Sequence, residues 1–263
     1  MKTYWATFVM RLKLETQYRA AALGGMVTQL FFGLILVFLY RALLGAPADA
    51  AVMQATATYV WIQQAFFRMI FSTDGTLTNT ILKGDMAYQL VRPVDQYTFW
   101  FARTMATKLA GTLMRAIPML LIVIWLPRGI GLGAPASLPA FFGALLALLL
   151  GLLTITAVSA FSDGLVLLTL DNRGINAVLS FLITFFSGNL LPLTLFPDSW
   201  QRLISCLPFS QILDTPIRLY TGEYALTALP QLLLMQMLWI AVFVIVGRLL
   251  WHGTLRRIIV QGG

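Results

Sequence analysis

The chain has 263 residues, of which 59% are hydrophobic and only 11% are charged. A soluble domain carries about a quarter of its residues as charged side chains, so this composition excludes an ordinary soluble globular protein and indicates lipid as the solvent. The net charge of +8 comes from Lys and Arg placed mostly at the edges of apolar runs, which indicates orientation in a membrane and argues against nucleic-acid binding.

The N-terminal segment, 1–19, is too charged to cross a membrane. Trp5, Phe8 and Leu12 recur at helical spacing among four Lys and Arg residues, which favours an amphipathic helix on the cytoplasmic membrane surface. A solvated basic arm is the alternative. The uncharged run 20–40 follows and predicts the first membrane span.

The second and third predicted spans, 50–71 and 104–126, carry polar groups. Gln63 and Gln64 lie inside the second span, which we therefore expect to face protein or a transport path rather than lipid. In the third span, Lys108 lies close enough to an end to extend towards the surface, whereas Arg115 lies near the middle.

Three further apolar runs predict the remaining spans at 138–160, 174–196 and 224–247. Prolines interrupt the apolar segment between the last two, which is typical of re-entrant or interfacial helices on the outer side. Asp198 is expected to cap one of these short helices. The sequence thus predicts an all-α polytopic membrane protein with six transmembrane helices in a single domain, 1–263.

The distribution of Lys and Arg predicts the orientation. With the N-terminus inside, thirteen cations lie in inner segments and four in outer ones, so the positive-inside rule places both termini in the cytoplasm. The inner set is Lys2, Arg11, Lys13, Arg19, Arg68, Lys83, Arg92, Arg103, Lys108, Arg173, Arg248, Arg256 and Arg257, and the outer set is Arg41, Arg128, Arg202 and Arg218.

The longest inner connection, 72–101, predicts two short helices. Leu77 and Ile81 share one helical face, Gly84 supplies a tight turn, and Asp85 is expected to cap a second helix that carries Met86 and Leu90. Such a helix pair fits a groove on a cytoplasmic partner or lies on lipid head groups, and the residues alone leave both interpretations open.

The chain lacks the motifs of an energy-converting enzyme. It has no G-x-x-x-x-G-K-[ST] phosphate loop, and one cysteine with one histidine cannot build a closed metal site. Its ten Asp and Glu residues are expected in loops or at helix ends, which argues against a proton-driven carrier. We therefore expect no enzyme activity from this chain alone and an external source of energy for any uphill transport.

Three parts of the sequence resemble the ABC-2 type permeases, in particular the short six-span branch related to drug and antibiotic efflux. They are QYRAAA at 17–22 with QLFFG at 29–33, KGDMAYQLVRP at 83–93, and LPLTLFP at 191–197 with the later LPF at 207–209 and TP at 215–216. The resemblance implies a permease subunit of an ATP-driven exporter in the bacterial inner membrane. It further implies a homodimer or heterodimer of permeases, with ATP and Mg²⁺ bound by separate ATPase subunits.

The resemblance also implies roles for particular residues. The segment between spans two and three would be the coupling helix, and the matching positions are Gly84, Asp85, Met86, Leu90, Arg92 and Pro93. The implied path for a hydrophobic or amphiphilic small molecule would include Gln29, Gln63, Gln64 and Arg115. Interhelical hydrogen bonds for the glutamines, and a lipid-facing Arg115, are the alternatives. A self-contained carrier or channel, or a non-transporting scaffold, is the alternative for the whole chain.

Overall fold

Apolar runs separated by short polar turns produce an all-helical fold. The computed structural model describes residues 1–45, 49–71 and 75–256, and no strand occurs in these ranges. The α-helices are α1 Lys2–Glu15, α2 Arg19–Leu44, α3 Ala50–Phe71, α4 Thr76–Leu82, α5 Met86–Leu90, α6 Gln96–Val123, α7 Leu138–Thr169, α8 Asn172–Phe186, α9 Asp198–Ser205, α10 Asp214–Thr221 and α11 Leu229–Leu255. Arg257, counted above among the inner cations, and the first residues of the predicted inner connection, 72–74, lie outside the described residues.

Four of the described helices are long and apolar enough to cross a membrane: α2, α6, α7 and α11. They correspond to the first, third, fourth and sixth predicted spans. Helix α3 coincides with the second predicted span but is not apolar enough over 18 residues to count with these four, because it carries several glutamines and threonines. The chain is therefore an all-α membrane protein, and the count of six spans stays a prediction.

Helix α8 is shorter than the fifth predicted span. Its 15 residues extend about 22 Å, less than the roughly 30 Å hydrocarbon core of a bilayer. The helix ends at Phe186, and Gly188 adopts a left-handed φ of +77° two residues later. The prediction of helix over 187–196 was wrong, because a glycine turn followed by Asn189 and Pro192 ends the helix despite the apolar composition.

Helix α7 occupies the centre of the packing and contacts α6, α10 and α11 along its length. The main core cluster includes Tyr59 of α3, Ile155 of α7 and Ile217 of α10. Helix α1 packs along the first half of α6, where Arg11 Nε donates a hydrogen bond to Thr107 Oγ1 at 2.9 Å. This contact makes α1 part of the bundle, while its location at a membrane surface stays a prediction.

The segment between α8 and α11 forms a 3-10 turn, Leu193–Leu195, and the short helices α9 and α10. Asp198 does not cap α9 as expected: the helix begins at Asp198 itself, Pro197 precedes it, and no side-chain cap is formed. The positive end of the helix dipole still stabilises a carboxylate in the first turn.

Candidate functional site

Helices α4 and α5 form the helix pair predicted in the inner connection, which we call the knob (residues 76–93). Gly84 joins them with a left-handed φ of +76°, a conformation that costs glycine little. Leu77 and Ile81 are buried against Trp100 of α6 and Trp251 of α11. Because its apolar residues enter a core shared with α6, α7 and α11, the knob is firmly attached to the membrane helices.

The six residues predicted for coupling divide into two groups. Gly84, Asp85, Arg92 and Pro93 are exposed, and Leu90 is 38% exposed, whereas Met86 is 3% exposed and belongs to the core beneath the knob. Met86 therefore anchors the knob rather than faces a partner.

Asp85 precedes α5 but makes no side-chain cap hydrogen bond, so the expectation that it caps this helix was wrong. Its backbone has helical angles (φ −72°, ψ 0°), whereas a capping residue needs an extended backbone to turn its carboxylate onto the first amides.

Two exposed residues of the knob were missed in the sequence. Tyr88 is 76% exposed and Val91 is 83% exposed, so both project outward with Leu90. Their spacing of three residues on a short helix was the signal, since such residues share a face. Together, Tyr88, Leu90 and Val91 form an exposed apolar patch, which we call the knob patch.

Lys108 was predicted to extend to the surface, but the structure encloses it fully. Its Nζ donates to Met69 O at 3.2 Å, at the C-terminal end of α3, and Asp163 of α7 stabilises its charge. A cation at the carbonyl end of a helix complements the helix dipole and satisfies carbonyl groups that have no partner within the helix. Lys108 of α6 thus links α3 and α7.

We expect Lys108→Met to lower the apparent melting temperature strongly, because removal of one member leaves buried charge and open carbonyls, which typically costs about 3 kcal/mol or more. Thermal-shift measurements on the detergent-solubilised protein test this. A double variant with Asp163→Asn should recover part of the loss, since the two sites are coupled. Equal melting temperatures for wild type and Lys108→Met would contradict a structural role.

The three predicted path glutamines are buried in the bundle. Gln63 donates through Nε2 to the backbone carbonyl of Asn189, which supports its alternative interpretation as a helix-packing contact. Gln29 of α2 is 5% exposed, and neither of its amide atoms has a hydrogen-bond partner among the described residues. Gln64 is 6% exposed. The Asn189 contact lies at the far end of α8 from the knob, so the structure does not bring the path and coupling residues together.

Arg115 of α6 lies against α2. A Cβ built on Gly25 would be 2.8 Å from Arg115 Nε, so the glycine provides the space that the guanidinium occupies. Arg68 of α3 lies similarly against Gly111, with Nε 3.0 Å from the position of an added Cβ. Gly111 and Arg115 are one helical turn apart, so both arginines lie where α2, α3 and α6 meet.

A buried polar network on the other side of the bundle was also missed in the sequence. Asp214 of α10 has no exposed surface and accepts a 2.7 Å hydrogen bond from Tyr59 Oη of α3. Arg218 lies 3.8 Å from the second oxygen of Asp214 and pairs with Glu223 at 3.1 Å. Burial raises the pKa of the Asp214 carboxyl to about 7. No local pattern indicated this contact, because Tyr59 and Asp214 are 155 residues apart.

Residues 24–262 match the model of a protein family described as "ABC-2 family transporter protein". This match covers most of the chain. The chain belongs to the ABC-2 transporter family. No curated protein and no solved structure matches it.

Family membership confirms the resemblance drawn from the sequence and makes this chain an ABC-2 type permease. Permeases of this family are the transmembrane subunits of ABC transporters and not their ATPases. The permease is accordingly a membrane-embedded transport protein, and the attached knob and the buried polar groups of α2, α3 and α6 are its main candidates for function.

Proposed function

We propose that this permease forms the translocation path of an ATP-driven exporter in a bacterial inner membrane, for a hydrophobic or amphiphilic small molecule. The family match over 24–262 is the observation that carries the proposal. In this proposal α3 and α8 complete a set of six spans with α2, α6, α7 and α11, and both termini lie in the cytoplasm, as the distribution of Lys and Arg favours.

The knob is the proposed receiver of the energy of ATP hydrolysis. Its exposed patch of Tyr88, Leu90 and Val91 is suited to a groove on an ATPase subunit, which would bind ATP and Mg²⁺. Its buried side, formed by Leu77, Ile81 and Met86, is packed on three membrane helices. A push on the patch would thus move these helices as a rigid body rather than bend the knob.

A second permease copy or homologue completes the proposed path. Helix α2 exposes large apolar side chains along its length, including Phe31, Phe32 and Phe38, although Gln29, two residues before Phe31, is buried. This face fits a second permease or lipid. In a dimer, the path would lie between the copies and be lined by α2, α3 and α8, with Gln29 and Gln64 near it.

The test is co-purification from gently solubilised membranes. We expect the tagged wild type to retain an ATPase whose sequence contains a phosphate-loop motif, and Tyr88→Asp with Val91→Asp to lose it. Two carboxylates in an apolar contact leave charge without a partner and should weaken binding about 100-fold or more.

Leu170→Asp is the matched control. Leu170 is 63% exposed in the turn between α7 and α8, on the same proposed side, and its φ of +55° suits Asp at least as well as Leu. This variant should keep the ATPase. A wild type that purifies without an ATPase in several mild detergents would overturn the exporter proposal and favour a self-contained carrier, and an ATPase retained by the knob double variant would overturn the assigned contact.

A further inference from the structure

Two arginines lie close together where α2, α3 and α6 meet, a place we call the groove, and no carboxylate among the described residues pairs with either of them. Arg68 of α3 lies against Gly111 of α6, and Arg115, one turn later on α6, lies against Gly25 of α2. The two guanidinium groups are near enough for their charges to repel. Neither forms an ion pair or a hydrogen bond with the described residues, and Arg68 Nε is shielded from solvent. Two like charges that are partly buried in a helix bundle repel each other, and a counter-ion would stabilise both.

Further polar groups in the same stretch of helices lack partners. Gln29 follows Gly25 by one turn of α2, and both of its amide atoms are unbonded within the described part of the chain. Thr112, next to Gly111, is 3% exposed and its hydroxyl is likewise without a partner there. The groove thus holds a surplus of hydrogen-bond donors, which suits an anion with several acceptor oxygens.

Lys108, one turn before Thr112 on α6, does not belong to this surplus. Its Nζ is already bonded to the carbonyl oxygen of Met69, and its charge is stabilised by Asp163. Among the described cations where α2, α3 and α6 meet, the two arginines are therefore the ones that form no ion pair.

The surroundings of the groove favour an amphiphile over a free ion. Val27 and Phe31 of α2, and Leu113 and Ile117 of α6, are exposed large apolar side chains beside the arginine level. Arg68 lies only three residues before the end of α3. A cationic site near a helix end with apolar faces alongside it matches an anionic headgroup above acyl chains.

We infer that Arg68 and Arg115 form a binding site for the phosphate headgroup of an anionic amphiphile, at the junction of α2, α3 and α6. Each guanidinium would donate charge-assisted hydrogen bonds to phosphate oxygens, with Gln29 and Thr112 as neutral donors. The ligand is either a resident membrane lipid or the transported molecule. The inference deepens the proposed function. A transported ligand rests on that proposed function, whereas a resident lipid does not.

The glycines supply a test that changes no charge. A methyl group on Gly25 would overlap the Arg115 guanidinium, which would have to move by roughly 1 Å, whereas nothing lies within 4 Å of a Cβ on Gly24. Gly25→Ala should therefore disturb the site and Gly24→Ala should not. Both variants introduce an alanine, at adjacent positions of the same helix.

Binding is measured by native mass spectrometry on the permease purified in an uncharged detergent. The probes are dioleoyl phosphatidic acid, dioleoyl phosphatidylcholine and dioleoylglycerol. Wild type and Gly24→Ala should bind phosphatidic acid at least about tenfold more tightly than the other two. Gly25→Ala, Arg68→Gln and Arg115→Gln should each lose about tenfold in this affinity, and Arg115→Lys should lose less than Arg115→Gln.

The two sources of ligand give different results. A resident lipid would co-purify with wild type and be depleted from Gly25→Ala, whereas a transported amphiphile would bind only when added and would compete with added phosphatidic acid. Equal binding of all three probes by wild type, or equal affinity of Gly25→Ala and Gly24→Ala for phosphatidic acid, would overturn the site. Because this assay measures binding of added lipid and not ATP-driven transport, a failure of the exporter proposal leaves the result unchanged.

Discussion

A Gly151→Ala variant of the permease is expected to melt at a much lower temperature than the wild type. Gly151 lies at the centre of α7, where a Cβ would overlap the carbonyl oxygen of Ile212 and lie 3.2 Å from its carbonyl carbon. These are backbone atoms of a segment buried against α7, so they cannot move aside as a flexible side chain would. We expect a loss of stability of about 3 kcal/mol, the upper end of the range for overpacking.

Gly143→Ala in the same helix is the matched control. A Cβ there would meet only the methyl groups of Leu229, at 3.3 Å or more. Because alanine favours a helix over glycine by about 1 kcal/mol, this variant should be neutral or slightly more stable. Fluorescence-detected size-exclusion chromatography after heating compares the two. A Gly151→Ala protein that melts with wild type would show that the segment around Ile212 can separate from α7 without loss of stability.

The sequence alone predicts the membrane character and the approximate limits of the helices. Hydropathy located α2, α6, α7 and α11 because each is an apolar run of sufficient length. It did not predict the end of α8, since the run 187–196 is as apolar as a span and only its Gly, Asn and Pro residues end the helix. Composition therefore measures solubility in lipid, while the local backbone preferences decide where a helix stops.

In the knob, too, sequence spacing predicts some features, whereas tertiary packing determines others. The turn at Gly84 and the shared helical face of Leu77 and Ile81 follow from local spacing and were confirmed. The burial of that face against the membrane helices was not predicted. The burial of Met86 and the exposure of Tyr88 were not predicted, because five helical residues contain too little periodicity to decide which face meets α7 and α11.

Long-range polar contacts could not be predicted either. Lys108 was expected to reach the surface, but its Nζ bonds to carbonyl oxygens at the end of α3, which only the tertiary structure places beside it. The pairing of Arg115 with Gly25 and of Tyr59 with Asp214 likewise joins residues far apart in the chain. Such contacts depend on the packing of helices and leave no periodic signal in one sequence.

The buried carboxyl of Asp214 should make the stability of the permease depend on pH. Burial raises its pKa from an ordinary 3.8 to about 7, since no exposed surface remains and one oxygen lacks a hydrogen bond within the described residues. The folded protein therefore binds a proton that the unfolded chain releases between these two values. The contribution of Asp214 to stability should be fully present below about pH 4 and be lost as the pH rises to about 7, by at most about 1.4 kcal/mol per pH unit.

Asp214→Asn isolates this contribution. Asparagine keeps an oxygen that accepts the hydrogen bond from Tyr59 Oη but carries no charge, so its melting temperature should change much less between pH 5 and pH 7.5. Glu223, which pairs with Arg218, also has a pKa raised by burial. It therefore also makes stability fall as the pH rises. Glu223→Gln is the control that separates the two carboxyls.

Thermal-shift curves at pH 5, 6, 7 and 7.5 compare wild type with the two variants. If Asp214 causes most of the pH dependence, Asp214→Asn removes most of the slope of melting temperature against pH, and Glu223→Gln removes the smaller part. Identical slopes for wild type and Asp214→Asn would mean that Arg218, 3.8 Å from the carboxylate, holds Asp214 ionised throughout this range. The contact between α3 and α10 would then be an ion-stabilised junction, and its strength would fall with salt rather than with pH.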